Sequence, residues 1–419
     1  PLVWRWVPEA RGEGVPEILE AVRLRQGKIK WQVIPAKLVA SVISLATVAS
    51  VGREGPIISS ASALGSSVGQ GLRIPRRYWN VMIACSGAAG IAATFNTPIA
   101  GAFFMAEVIM GSFSMEHFPF IVLSSVLGTV IGQHFFGTQA AFHVPEHLAL
   151  HHPGELLGFI ALGILAGLTA VAFIRGISWT RALYTRLPIP DLLKTPLGGV
   201  ILIASGLYLS PNLVGNGHVA LEHLIGSHVA PASIMHPGIA FLLFLMVAKI
   251  IAVGISLGSG FSGGVFAPSL FVGAPLGYIV GLLMQRISDA FGAMVSPETY
   301  AVIGMAAVFT GVSKAPISAI IMIFELTQDY QLMLPLMAAC VMSFVVSQNL
   351  HKPSIYTEKL QNRGIDLAAL NQEHLIMHHY RVKDLMKTNK VPVIFAQTTL
   401  EEAGRIMLKY KRHCLFLQA

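Results

Sequence analysis

The stretch Gly52-Arg53-Glu54-Gly55-Pro56 opens an apolar segment in which Gly65 and Gly69 follow the proline at nine and thirteen residues. The same spacing returns in Gly264-Val265-Phe266-Ala267-Pro268, with Gly277 and Gly281 at the same distances. A second motif repeats in the same order. Phe95-Asn96-Thr97-Pro98-Ile99 leads to Glu107, nine residues after its proline, and Lys314-Ala315-Pro316-Ile317 leads to Glu325, again nine after. The two offsets are 212 and 218 residues. Two motifs recurring in one order mark two homologous halves. Matching glycine- or proline-interrupted helices in the halves of a membrane protein point to a binding site at the repeat interface.

A Gly-x-x-x-Pro sequence at the head of an apolar helix has a definite chemistry. Proline in the first turn costs no hydrogen bond, because those amides lack intrahelical acceptors. Glycine lets the backbone approach a ligand closely. The free N–H groups and the helix dipole then face whatever lies ahead of the helix, which favours an anion. Gly12-Glu13-Gly14-Val15-Pro16, Gly52–Pro56 and Gly264–Pro268 all have this form. Within the bilayer such broken backbone is tolerated only against protein or a water-filled cavity.

The composition calls for a lipid solvent. Of 419 residues, 54% are hydrophobic and 12% charged, with mean hydropathy +0.65. A soluble domain carries about 25% charged residues. Trp31–Val51, Leu156–Phe173, Ile239–Leu257 and Leu332–Val346 are expected to be long enough to cross the hydrocarbon layer. The expectation is therefore an all-α polytopic membrane protein over residues 1–365, with halves of roughly 1–190 and 191–365. The net charge of +8 is accounted for by cationic loops flanking membrane spans. No basic run with interleaved aromatics calls for nucleic acid. Cys85, Cys340 and Cys414 lack metal-ligand spacing and read as small apolar residues. His143, His147, His151 and His152 cluster, but read as a solvated loop rather than a metal site. No nucleotide-phosphate loop and no hydrolase motif occurs, so no catalytic residue is assigned. From about His374 the pattern changes to helix, strand, helix, strand: Val382–Met386, Val391–Ile394, Leu400–Tyr410 and Cys414–Leu417.

These motifs resemble the signature segments of the CLC family of chloride channels and chloride/proton antiporters, in the family's order. The resemblance covers nearly the whole chain, apart from the family's first membrane helices ahead of Pro1, and the abrupt ends suggest a fragment. Residues 374–419 loosely resemble the start of a CBS module, which implies a possible adenine nucleotide there. The resemblance implies an inverted-repeat helical fold, a homodimer with one pore per subunit, and a multi-pass location in a prokaryotic plasma membrane. It implies chloride as the substrate, with no cofactor required. Glu54 takes the place of the family's gating glutamate, whose ionised carboxylate mimics an anion in the pathway. Gly52, Arg53, Gly55, Gly264, Val265, Phe266 and Ala267 fall in the anion-binding motifs. Tyr356, in Lys352-Pro353-Ser354-Ile355-Tyr356-Thr357, resembles the pore tyrosine. Phenylalanine rather than methionine at 266 argues for chloride-like anions over fluoride.

Two departures bear on mechanism. The family's chloride-binding serine falls at Glu13. A carboxylate there would repel an anion, serve as a tethered anion itself, donate a hydrogen bond when protonated, or point away into the vestibule. The antiporters' internal proton-transfer glutamate falls at Val108, which carries no proton, although Glu107 is adjacent and matches a family glutamate. Passive chloride conduction gated by Glu54 is therefore the main expectation, with coupled chloride/proton exchange as the alternative. An intramembrane hydrolase using Glu54 and Glu107, and a non-conducting nucleotide-sensing scaffold, are the rivals from other classes. Glu325, the repeat mate of Glu107, is expected to cap a helix or hold an interface.

Overall fold

A computed structural model describes residues 6–10, 12–138, 155–225, 238–289, 295–365, 393–395, 397–410 and 416–418. The histidine cluster at 143–152, Cys414 and the expected helix at Val382–Met386 lie outside these residues. The chain divides into two units, Pro1–Ile365 and Asp366–Ala419. The second expectation of a boundary, near His374, differs by a few residues. In the second unit, strand β1 (Val393–Phe395) pairs in parallel with β2 (Phe416–Gln418) across helix α16 (Leu400–Tyr410).

In the first unit the described elements are helical. They are α1 (Val15–Leu24), α2 (Val33–Ala46), α3 (Glu54–Gly71), α4 (Trp79–Phe95) and α5 (Pro98–Phe104). Helix α5 continues as a π turn through Met105–Met110. Then come α6 (Phe118–Phe136), α7 (Glu155–Arg186), α8 (Asp191–Tyr208), α9 (His218–Ile225), α10 (Ile239–Ser259) and α11 (Phe266–Asp289). Helices α12 (Pro297–Ser313), α13 (Pro316–Thr327), α14 (Met333–Leu350) and α15 (Ile355–Gln361) complete the unit.

Among the described residues, five helical segments are long and apolar enough to cross a membrane. Three of them contain expected spans. The fourth expected span, Trp31–Val51, is corrected: its helix is only Val33–Ala46, 14 residues. At about 1.5 Å per residue that is about 21 Å, short of a hydrocarbon core of about 30 Å. Helix α7 has the opposite mismatch. Its 32 residues, about 48 Å at about 1.5 Å per residue, exceed the hydrocarbon thickness of about 30 Å. Large apolar side chains on α6, α8 and α10 point outward, including Leu123, Val130, Leu207 and Val247. Exposed apolar area on this scale suits a lipid-facing surface and not water.

The two halves are stitched together by reciprocal bonds. Gly52 and Gly264 form an isolated antiparallel bridge, with Gly52 N donating to Gly264 O at 2.8 Å and Gly264 N to Gly52 O at 2.7 Å. Ser256 Oγ accepts from Ser50 N, and its mate 212 residues earlier, Ser44 Oγ, accepts from Ser262 N, both at 2.9 Å. Each α4-type helix ends in a left-handed residue, Asn96 at φ 60° and Lys314 at φ 61°. The next residues, Thr97 and Ala315, also match, at φ −125° and −126°. An antiparallel bridge between repeat mates is what an inverted repeat produces at its own two-fold axis.

Glu107 and Glu325 act at this same axis. Glu325 accepts from the amides of Ile99 (2.9 Å) and Ala100 (2.7 Å) at the start of α5. Glu107 accepts from the amides of Ile317 (3.2 Å) and Ser318 (2.8 Å), and from Ser318 Oγ (2.6 Å), at the start of α13. Each carboxylate therefore caps the other half's proline-started helix. Glu325 has the interface role expected of it. Glu107, considered above for the proton path and for a hydrolase pair with Glu54, has both oxygens committed to a cap. Without that cap the part-buried Ser318 amide and hydroxyl would lose their acceptor, at a cost of about 1–3 kcal/mol each. Glu107→Ala is expected to lower the melting temperature in detergent by several degrees, whereas Glu107→Gln should recover part of the loss. An unchanged melting temperature for both would dismiss the cap.

Candidate functional site

Three helix starts meet at one small cavity. It is lined by Glu13 and Val15 ahead of and in α1, Glu54, Gly55 and Ile58 of α3, and Gly264, Val265 and Phe266 at the head of α11. Tyr356 of α15, Ile91 and Phe95 of α4, Phe104 of α5 and Met322 of α13 close it. Its volume is about 10 Å³, the scale of a single water-sized occupant. Sequence reading places Glu13, Glu54, Gly55, Gly264, Val265, Phe266 and Tyr356 in the site, and all seven line this cavity. Phe95, Phe104 and Met322 were missed, because apolar residues in apolar helices carry no distinguishing signal. The aromatic rings around it pack together: Phe95–Phe266 centroids lie 5.2 Å apart, Phe266–Phe309 4.5 Å and Phe104–Tyr356 6.5 Å.

The close approach depends on glycine. A Cβ on Gly55 would fall 2.1 Å from the Glu13 carbonyl oxygen and 3.0 Å from Gly264 Cα. A Cβ on Gly52 would fall 1.9 Å from Glu54 Oε2. The three motifs thus touch through bare backbone, which brings the first-turn amides to one point.

Which amides remain free is set by the bonds already made. Ile57 N donates to Arg53 O and Ser269 N to Val265 O, so the amides of Glu54, Gly55, Phe266 and Ala267 precede the helical ladders. Gly52 and Gly264, which fall in the anion-binding motifs, donate their N–H groups to each other's carbonyl oxygens. Their contribution is the junction. At α1 the Gly14 amide donates to Glu17 Oε2 at 2.9 Å. This start, expected to offer its amides to an anion, is served by its own carboxylate.

Glu54 is buried, and its Oε2 has no hydrogen-bond partner. The Ala267 amide approaches the same carboxyl group. A second cavity of about 10 Å³ lies beyond it, lined by Arg53, Asn216, His218, Leu221, Ala267 and Leu270. Glu54, Phe95 and Phe266 line both cavities. Arg53 is exposed and belongs to the second cavity alone. The Glu54 carboxylate thus stands at the wall between two cavities, against two repeat-related helix starts. Val108 is half-buried in the π turn and lines neither cavity.

Buried lysines hold the loops on either side. Lys37 donates to Gly12 O and, at 3.4 Å, to Ala10 O. Lys249, 212 residues later, donates to Asn212 O, Leu213 O and Gly215 O at 3.2, 3.4 and 2.9 Å. These loops read Gly12-Glu13-Gly14 and Gly215-Asn216-Gly217. Glu13 and Asn216 are therefore counterparts, facing Glu54 from the first and second cavity. Glu13 is buried and paired with Arg181 of α7. Neither that partner nor the lysine pair was foreseen. The 212-residue spacing of Lys37 and Lys249 was available as a signal.

No group of three or more potential metal ligands occurs among the described residues. The model of the voltage gated chloride channel family matches residues 1–348. A ClcB-like protein of Ralstonia nicotianae is 33% identical over 370 residues, covering 87% of this chain and 83% of its own. The H(+)/Cl(-) exchange transporter ClcA of Yersinia pestis is 30% identical over 363 residues, covering 85% and 73%. The crystal structure of a slow cyanobacterial Cl-/H+ antiporter superimposes with a TM-score of 0.77 at 27% identity, covering 86% of this chain and 83% of the other. With the inverted repeat, the apolar spans and the family model in agreement, this chain is a multi-pass membrane protein of the voltage gated chloride channel (CLC) family.

Proposed function

We propose that this protein exchanges chloride for protons across its membrane, with the Glu54 carboxylate as the group that both ions use. The observation carrying the reading is the place of Glu54: buried, with one oxygen unpartnered, in the wall between two cavities and beside the amides that open α3 and α11. Ionised, it fills the anion position. Protonated or displaced by chloride, it opens the connection between the cavities. Dipoles and amides suit conduction because they bind weakly enough to release. Similarity to a ClcA exchange transporter and to a cyanobacterial antiporter supports coupling over the passive conduction first expected. Passive conduction stays as the second reading because of Val108, which cannot carry a proton.

Purified protein in proteoliposomes under opposed chloride and pH gradients separates the two. Exchange gives a reversal potential between the chloride and proton equilibrium potentials, and chloride drives protons uphill. A reversal potential that follows chloride alone would establish the passive reading. The same reading includes a homodimer with one pathway per subunit, a prokaryotic plasma membrane, and a CBS-like terminal unit with a possible adenine-nucleotide site.

A further inference from the structure

The geometry points to Glu13 as a second tethered carboxylate, a latch held by Arg181 that competes with the transported anion at the cavity end opposite Asn216. This rests on the chloride-transport reading above and adds a residue to its path.

Four observations carry it. One oxygen of Glu13 bonds Arg181, while Oε2 is buried without a partner and the residue lines the cavity shared with Glu54 and Tyr356. A buried carboxylate oxygen without a partner is costly. Arg181 also lines a cleft of about 320 Å³ with Gly12, Thr185, Lys359, Asn362 and Arg363. The ion pair is therefore the partition between a basic cleft and the anion cavity. At the α1 start next to it the Gly14 amide is already taken by Glu17, which is itself held by Lys359 at 2.7 Å. Glu13 stands between Gly12 at φ 111° and Gly14 at φ 103°, a backbone in which both flanks adopt conformations that glycine enters freely.

The counterpart Asn216 is neutral, so the latch is a feature of one end only. The charged and titratable groups around Glu13 are Arg181, Lys37, Tyr356 and, across the cavity, Glu54. Of these only Arg181 pairs with it directly among the described residues. While latched, Glu13 cancels the attraction of Arg181 for an anion arriving from the cleft. Buried opposite charges interact strongly enough that deleting one leaves the other in need of a partner. Deleting the Glu13 charge should therefore hand Arg181 to chloride.

The test is chloride titration by calorimetry in detergent, together with chloride efflux from proteoliposomes over a range of chloride concentrations. Glu13→Gln keeps an acceptor for Arg181 and removes the charge. It is expected to lower both the Kd for chloride and the half-saturating concentration by at least about tenfold. Glu13→Ser is measured as well, and serves alone if the glutamine variant does not fold. Adding Arg181→Gln to either should bring the Kd back towards the wild-type value. A wild-type Kd in the folded Glu13 variants overturns the latch, and so does tight binding that survives the loss of Arg181. Absence of chloride binding and efflux in the wild type would instead overturn the transport reading itself.

Discussion

Glu54→Gln is expected to abolish proton movement while chloride still crosses. Glutamine matches glutamate in size and can accept the same amide contact, but it has no proton to exchange near neutral pH. Losing a positioned proton-transfer group costs about a hundredfold or more. Chloride-driven proton uptake into proteoliposomes should fall by about that factor, and chloride efflux should remain within severalfold of wild type. The structural reason is the placement of Glu54 at the wall common to the two cavities, where its charge and not its bulk is what the anion replaces. Proton uptake persisting at the wild-type ratio would remove Glu54 from the shared path. Loss of both fluxes in a folded variant would mean that its side chain supports the pathway in a way that glutamine cannot.

Gly55→Ala has the largest expected structural effect. The added Cβ meets the Glu13 carbonyl oxygen at 2.1 Å and Gly264 Cα at 3.0 Å. Both obstacles are backbone, and both belong to segments tied down elsewhere: Gly264 by its bridge to Gly52, and the Glu13 loop by Lys37 through Gly12. Nothing flexible can yield. Overpacking costs about 1–3 kcal/mol, and the upper end is expected here. The variant should melt several degrees lower in detergent and lose chloride efflux, because separating the three helix starts disperses the amides that face the anion. Gly71→Ala is the control. It sits at the end of the same helix with nothing within 4 Å of the added carbon, and it should melt and transport as the wild type does. A Gly55 variant that transports normally would show that the starts need not touch.

Much of the site was legible because its chemistry is local. A glycine-rich turn with proline in the next helical turn announces a helix start with open amides, and the paired occurrences announce the repeat. Glu54 stands out because a carboxylate amid apolar residues is expensive and so is seldom idle. The error at Trp31–Val51 has an equally physical origin. Apolar composition reports the solvent, not where the backbone ladder breaks. Here α2 stops at Ala46 and the following strand-like segment gives its amides to the other half, as Ser50 N does to Ser256 Oγ and Gly52 N to Gly264 O. The capping role of Glu107 was hidden for a related reason. Its acceptors' partners, Ile317 and Ser318, lie 210 and 211 residues away.

By itself the sequence determined that this is a membrane protein of two homologous halves, with three Gly-x-x-x-Pro helix starts and a carboxylate, Glu54, inside one of them. Those properties follow from hydropathy, glycine, proline and a single buried charge, each of which acts within a few residues. Only the tertiary structure decided how the starts are used. It spent the Gly52 and Gly264 amides on each other's carbonyl oxygens, turned the Ala267 amide to the Glu54 carboxyl group, gave the Gly14 amide to Glu17, and set Glu13 against Arg181, 168 residues away. The physical reason is that a hydrogen-bond donor can be claimed once. Whether a motif's amides serve a ligand or the protein itself depends on which distant groups the inverted repeat brings within 3 Å, and that information is not carried by the motif.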